Sequence, residues 1–167
     1  ILSGLVGSEM CIRDSVQTFP SATLQNPPFD RIIFGEVPHL RTETQGATPF
    51  DRDTRLTADF LQYLDQKPDK PFFAFLFYDL LHAISIPAPH RHKFEPSWEY
   101  ANYMALSNEM DATPFFNLYR NCGWYVDSLV GSIVGELEHK GLLDNSILVI
   151  TGDHSLSLIH ISEPTRP

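Results

Sequence analysis

Cysteine is nearly missing from this chain. Of its two cysteines, Cys11 lies in a terminal stretch read below as foreign, which leaves Cys122 alone. One thiol builds neither a disulfide framework nor a cysteine-based zinc site, and it does not decide the redox compartment. Long apolar runs are missing too. No stretch reaches about 18 consecutive apolar residues, so the sequence contains no transmembrane helix of its own. A basic cluster is also lacking: 12 lysines and arginines face 21 aspartates and glutamates, a net charge of −9. That balance argues against nucleic acid as the main partner. There is no internal repeat and no low-complexity tract.

What is present must first be separated from what is foreign. The last stretch, Leu156 to Arg166, reads LSLIHISEPTR, and Leu5 to Ser15 reads LVGSEMCIRDS. A short DNA element that encodes the first string in one orientation encodes LVGSEMCIRD in the other. The element resembles a transposase-type sequencing adaptor. Ile1–Ser15 and Leu156–Pro167 are therefore expected to be adaptor-derived and are set aside from the fold. The stretch from Val16 to Ser155 is then the part to be read, and it is expected to be one small domain or a piece of a larger one. Without the flanks, basic residues fall to 10 and acidic ones to 18, so the net charge of −8 keeps its sign.

Along that stretch, Val16–Pro28 is rich in Pro, Ser, Asn and Gln and reads as loop. Arg31–Phe34 (RIIF) is a short strand candidate, and Pro38–Phe50 is polar and loop-like. Leu56, Phe60, Tyr63 and Leu64 then share one helical face, with Asp51 or Asp53 as N-cap and the KPDKP stretch, Lys67–Pro71, as breaker. Phe72–Tyr78 (FFAFLFY) is a continuous apolar run of strand length, the pattern of a strand buried on both faces of a parallel sheet. Asp79–Ser97 has no period and reads as a long loop. Thr113 offers an N-cap with Pro114 at the first helical position. Phe115, Leu118, Cys122, Val126, Leu129, Val130, Ile133 and Leu137 follow at steps of three and four, a helix of about six turns. Gly141 ends it, with His139 and Lys140 in the last turn. Asp144–Asn145 makes a turn, and Ser146–Thr151 (SILVIT) is the second buried strand. Helix, turn and apolar strand in succession predict an α/β fold with a mainly parallel sheet.

Two polar clusters occupy equivalent places: Asp79 and His82 just beyond the first apolar run, Asp153 and His154 just beyond the second. In open α/β sheets ligands bind outside the carboxyl ends of the strands. If both runs are parallel strands, both clusters face one rim. Asp153–His154 offers a carboxylate oxygen and an imidazole nitrogen after Gly152, a donor pair suited to a divalent ion that could polarise a phosphoryl or sulfuryl oxygen. The plainer reading is an Asp capping a turn beside a surface His, and spacing alone favours it. His82 could hold an oxyanion or act as general acid, or be a loop histidine bonded to backbone. His90 and His92, in PHRHK, look like a metal pair but read better as an exposed loop. Asp127 is structural or solvent-facing, and Tyr119, Trp124 and Tyr125 are packing residues.

From Tyr125 to His154 the string YVDSLVGSIVGELEHKGLLDNSILVITGDH resembles the signature of the alkaline-phosphatase/sulfatase superfamily. In that signature an Asp-bearing helix, a G-L-x-D-N-[ST] turn, an apolar strand and a D-H-G or D-N-G metal motif follow one another. PFFAFLFYDLLHAISIP resembles the strand that delivers a substrate-contacting His before a Pro. FFNLYRNCGWYVD, with ANYMAL before it, resembles the sulfatase-like periplasmic domain of YejM/PbgA-like inner-membrane proteins. The resemblance implies a partial alkaline-phosphatase-like three-layer α/β/α sandwich. It implies that Asp153 and His154 ligate a divalent metal (Zn, Mn, Ca or Mg) and that His82 binds the transferred phosphate or sulfate. The implied substrate is a phosphate or sulfate ester, a membrane lipid or envelope glycan. The implied location is the periplasmic face of the inner membrane, through an anchor N-terminal to Val16. The nucleophile, a Thr, Ser or modified Cys, is expected in that preceding segment, so the piece in hand is expected to be inactive. Cys122, on the apolar face of a helix, is not that nucleophile. Ser155 replaces the Gly that follows the family's D-H, at the junction with the foreign flank. The alternatives are a non-catalytic lipid- or protein-binding sensor on the same scaffold and a cytosolic hydrolase without an anchor.

Overall fold

The computed structural model describes residues 16–21, 41, 43–66, 71–107, 109–152 and 156. In chain order the main elements are β1 (Val16–Pro20), α1 (Pro49–Asp65), β2 (Phe73–Phe77), α2 (Leu80–Ala83) and α3 (Thr113–His139). β1 and β2 pair in parallel, with Val16 opposite Phe73 and Pro20 opposite Phe77. Ser21 extends the pairing by donating its backbone N–H to the Phe77 carbonyl at 2.9 Å. The α/β class with a parallel sheet is therefore present, consistent with part of a sulfatase-like fold. None of the helices among the described residues is long and apolar enough to cross a membrane.

α1 starts one turn earlier than the apolar spacing predicts. Thr48, not Asp51 or Asp53, is its N-cap, with Pro49 at the first helical position. The Thr48 hydroxyl accepts the Asp51 N–H at 3.2 Å, while the Asp51 carboxylate accepts the Thr48 N–H at 3.1 Å. The sequence T-P-F-D is thus a reciprocal capping box, and two otherwise orphaned donors are satisfied. α1 buries Leu56, Phe60 and Leu64 against Phe19, Ile133 and Leu137, with Tyr63 at the edge of this cluster. Ala74 and Leu76 of β2 also pack there, because alternate residues of a strand share a face. Phe73 and the stacked rings of Phe75 and Phe77 occupy the other face. Burial on both faces, as the FFAFLFY run predicts, is thus realised on one face among the described residues, and β2 is only half-buried.

α3 joins two cores. Its C-terminal half closes the α1 cluster, and its N-terminal half packs Phe115, Leu118 and Cys122 against Leu80, Ile84 and Ile86. Its start lies one residue before the predicted one: Thr113 is helical, and the Asp111 carboxylate accepts the Thr113 N–H at 2.9 Å. Two buried asparagines interrupt its apolar stripe. Asn121 accepts the Phe94 N–H and donates to the Arg91 and Phe94 carbonyls, and Asn117 donates to the Pro96 carbonyl. They fasten the 91–96 loop to the helix by pairing its backbone groups with their buried side-chain amides.

Other expectations are corrected. Val16–Pro20, read with the loop that follows it, is a strand. Its β-branched and aromatic residues pair with β2, and only the stretch after Ser21 keeps loop composition. The long loop Asp79–Ser97 contains α2 and a short 3-10 turn at Ala88–His90. His90 is not an exposed loop residue: its ring lies 5.0 Å from both Phe50 and Tyr125, whereas His92 is exposed as expected. Ser146–Thr151 joins no ladder among the described residues. Ile147, Leu148, Val149 and Ile150 are 95%, 46%, 76% and 69% exposed, and no strand among the described residues lies beside them. The RIIF candidate lies outside the described residues.

Candidate active-site rim

The carboxyl ends of β1 and β2 lie side by side, and three residues from three elements meet there: Ser21 after β1, Asp53 in α1 and Asp79 after β2. Asp53 is fully buried, an uncommon place for a carboxylate. Its oxygens accept the Asp79 N–H at 3.1 and 3.2 Å and the Leu80 N–H at 2.8 Å. Burial pushes its pKa up to about 6, against the opposing pull of those N–H groups and of the Ser21 hydroxyl, with the nearby Asp79 charge adding to the rise.

Arg52, beside Asp53, turns its guanidinium across the same rim. It donates to Asp79 Oδ2 at 3.3 Å and to Ser21 Oγ at 3.4 Å. Gly46 permits this: a Cβ there would stand 2.7 Å from Arg52 Cγ and 2.8 Å from its backbone nitrogen, so only glycine lets the 43–48 loop pass so close. Tyr78 is half-buried behind the rim, shares a hydrogen bond with Thr57 at 2.9 Å, and has its pKa pushed up to about 12 by desolvation.

Of the residues singled out from sequence, Asp79 lies at the end of β2 as expected, but its carboxylate is engaged with Arg52. His82 sits one turn further on, in α2 rather than in a loop, and is exposed. Asp127 is exposed, and Cys122 is buried with its thiol pKa pushed up to about 12 by burial, which makes it inert as a nucleophile. Asp153 and His154 lie outside the described residues. Sequence reasoning missed Ser21, Arg52 and Asp53 as site-building residues. A signal was available for Asp53: it heads the stripe Asp53, Leu56, Phe60, Leu64, so helical periodicity already turns it inward.

The donor chemistry of the rim bears on metal binding. Asp53 is saturated by N–H donors and Asp79 is paired with a guanidinium, so neither offers its carboxylate to an ion in this arrangement. Among the described residues no group of three or more His, Cys, Asp or Glu stands close enough to hold one. The carboxylate and imidazole of Asp153 and His154 remain a chemically apt pair for a divalent ion.

A parallel α/β layer with polar residues gathered at its carboxyl rim defines a class in which ligands bind at the strand ends. Comparison with protein families gives the particular member of that class: the sulfatase family model matches residues 8–165, nearly the whole chain. The chain belongs to the sulfatase family, within the alkaline-phosphatase/sulfatase superfamily of hydrolases. Comparison with curated proteins and with solved structures gave no match.

Proposed function

We propose that this chain is part of a metal-dependent enzyme that hydrolyses or transfers a phosphate or sulfate ester, with His82 binding the transferred group and Asp153 and His154 as two of its metal ligands. The observation that supports this most is the position of His82, one turn beyond the carboxyl end of β2, in a chain matched to the sulfatase family over nearly its full length. His82 is exposed there and can meet an anionic oxygen with a ring N–H. A divalent ion, when bound, would supply Lewis-acid polarisation of the phosphoryl or sulfuryl oxygen. Arg52 and Asp79 offset one another's charge at the rim.

The attacking nucleophile is expected from a segment N-terminal to Val16. The setting is the periplasmic face of the inner membrane, the substrate an envelope lipid or glycan, and the branch that of the YejM/PbgA-like proteins, whose resemblance rests on the FFNLYRNCGWYVD segment.

The test uses the intact gene product with p-nitrophenyl sulfate and p-nitrophenyl phosphate, with and without added divalent metal. Metal-dependent turnover is expected. Asp153→Asn and His154→Ala should each lower kcat/KM by about 100-fold or more, with loss of bound metal measured by mass spectrometry. His82→Ala should raise KM with the metal content unchanged. Absence of turnover with every metal, with lipid binding retained, would replace this reading by the non-catalytic sensor. The 167-residue chain alone should turn over neither ester.

A further inference from the structure

We propose that Asp53 is a positioning residue for His82, acting through the backbone amides of Asp79 and Leu80. The proposal rests on the functional reading above only in giving His82 a substrate to meet; the clamp itself can be read without turnover. A buried carboxylate persists only if its oxygens are well satisfied, and here two consecutive amides converge on it at 2.8 to 3.2 Å. Those amides form the entry to α2, the four-residue turn that carries His82. The turn has no capping bond from its own N-cap side chain, because Asp79 is turned to Arg52 instead. Asp53, from a neighbouring helix, instead holds the two amides just ahead of those that a cap side chain would take.

The other end of the turn is held as tightly. Ile84 lies in the left-handed region at φ 45, ψ 51, a conformation that a β-branched residue rarely adopts. It persists because Ile84 is buried with Leu80, Phe115 and Leu118, and its N–H bonds the Leu80 carbonyl at 2.9 Å. His82 therefore sits between a charged clamp and a buried, strained residue, and its backbone has little freedom. The groups around Asp53 are Ser21 just after β1, Tyr78 and Asp79 just after β2, and Arg52 and Thr57 from its own helix. α3 contributes no charge nearby: it brings the Tyr125 hydroxyl to Thr54. The negative neighbour is Asp79, and Arg52 offsets it.

The experiment uses the full chain and peptide-level mass spectrometry at low concentration. It reads amide exchange across Asp79–Ala83 and the rate at which diethyl pyrocarbonate modifies His82, with exposed His92 of the same molecule as reference. Asp53→Asn keeps the shape but sets an amide N–H against one of the two donors. It should accelerate exchange at the turn about tenfold and change the His82 to His92 rate ratio at least threefold. Thr57→Val, which removes bonds to Tyr78 and to the Asp53 carbonyl, loosens the same helix and should leave both readouts within twofold of wild type. An unchanged His82 ratio in Asp53→Asn, or an equal change in Thr57→Val, overturns the proposal. Should Asp53→Asn fail to fold, wild-type amide exchange decides: the Asp79 and Leu80 amides, held by the Asp53 carboxylate, should exchange at least tenfold more slowly than the His92 amide of the same molecule, and equal rates overturn the proposal. Failure of the esterase assays would remove the enzymatic reading and leave this result standing.

Discussion

Phe72–Tyr78 and Ser146–Thr151 look alike as sequence: two short apolar runs, each ending at a polar pair with an Asp and a His nearby. They differ in the structure. The first contains β2, lies beside β1, and turns Ala74 and Leu76 into a core closed by α1 and α3. The second leaves its turn with Ser146 already extended at φ −128, ψ 151, yet joins no strand among the described residues, and its apolar side chains face outward. An apolar run supplies the tendency to be buried; a neighbour within ladder distance decides whether it becomes a strand.

The sharpest way to test that contrast is to truncate one residue from each side of it. Leu56 is fully buried in the core that β2 joins. Leu56→Ala should lower unfolding free energy by about 2–5 kcal/mol in urea titrations, through lost transfer energy and the cavity left behind. Ile147→Ala, at an exposed position, should change it by no more than about 0.5 kcal/mol. A large loss from Ile147→Ala would show the second run packed in solution and erase the difference.

The next effect separates the paired region by its charge. The folded pKa of Asp53 is about 6 against an ordinary 3.8, because burial disfavours the ionised form. The folded state therefore holds the proton more tightly than the unfolded chain. The group's contribution is fully present below about pH 4 and is lost as pH rises through about 6. The shift corresponds to about 3 kcal/mol at most. Stability measured by denaturant at pH 4, 5, 6 and 7 should contain this falling component, and Asp53→Asn should remove it. An identical slope in the variant would place the carboxylate in water.

The same contrast explains what was legible in the sequence. Helices were readable because the spacing of Leu56, Phe60 and Leu64, and of Phe115, Leu118 and Cys122, carries its own period and needs no partner to reveal it. The strand at Phe73–Phe77 was readable from composition, but its partner was not: Val16–Pro20 pairs across the intervening helix, a non-local fact absent from either segment. Asp79 and His82 could be placed at a strand end from order alone. The clamp on their backbone could not, since Asp53 lies 26 residues before Asp79 and its role appears only once α1 crosses the end of β2. Arg52 was hidden for the same reason.

A smaller effect probes the joint between the long helix and the exposed run. Gly141 has φ +67, and its N–H and that of Leu142 bond the Glu138 and Leu137 carbonyls at 2.9 Å, closing the end of α3. A Cβ there would meet nothing within 4 Å, so any cost of Gly141→Ala comes from the backbone and not from crowding. Gly141→Ala should destabilise by about 1 kcal/mol. Gly141→Asn, which tolerates this region better, should cost less.

The smallest effect on stability carries the most direct reading of the exposed run. Ile147 and Val149 alternate along it and are its two most exposed residues among those on one face. Ile147→Lys with Val149→Lys should leave unfolding free energy within about 0.5 kcal/mol of wild type and raise the monomer fraction in sedimentation velocity. Charge repulsion would not account for such a gain, because two added lysines bring the net charge from −9 to −7 and weaken repulsion between copies. A gain would therefore come from loss of the apolar surface and would assign self-association to the unpaired run. Unchanged association would move that role to the paired region instead, to the face of β2 where Phe73, Phe75 and Phe77 lie.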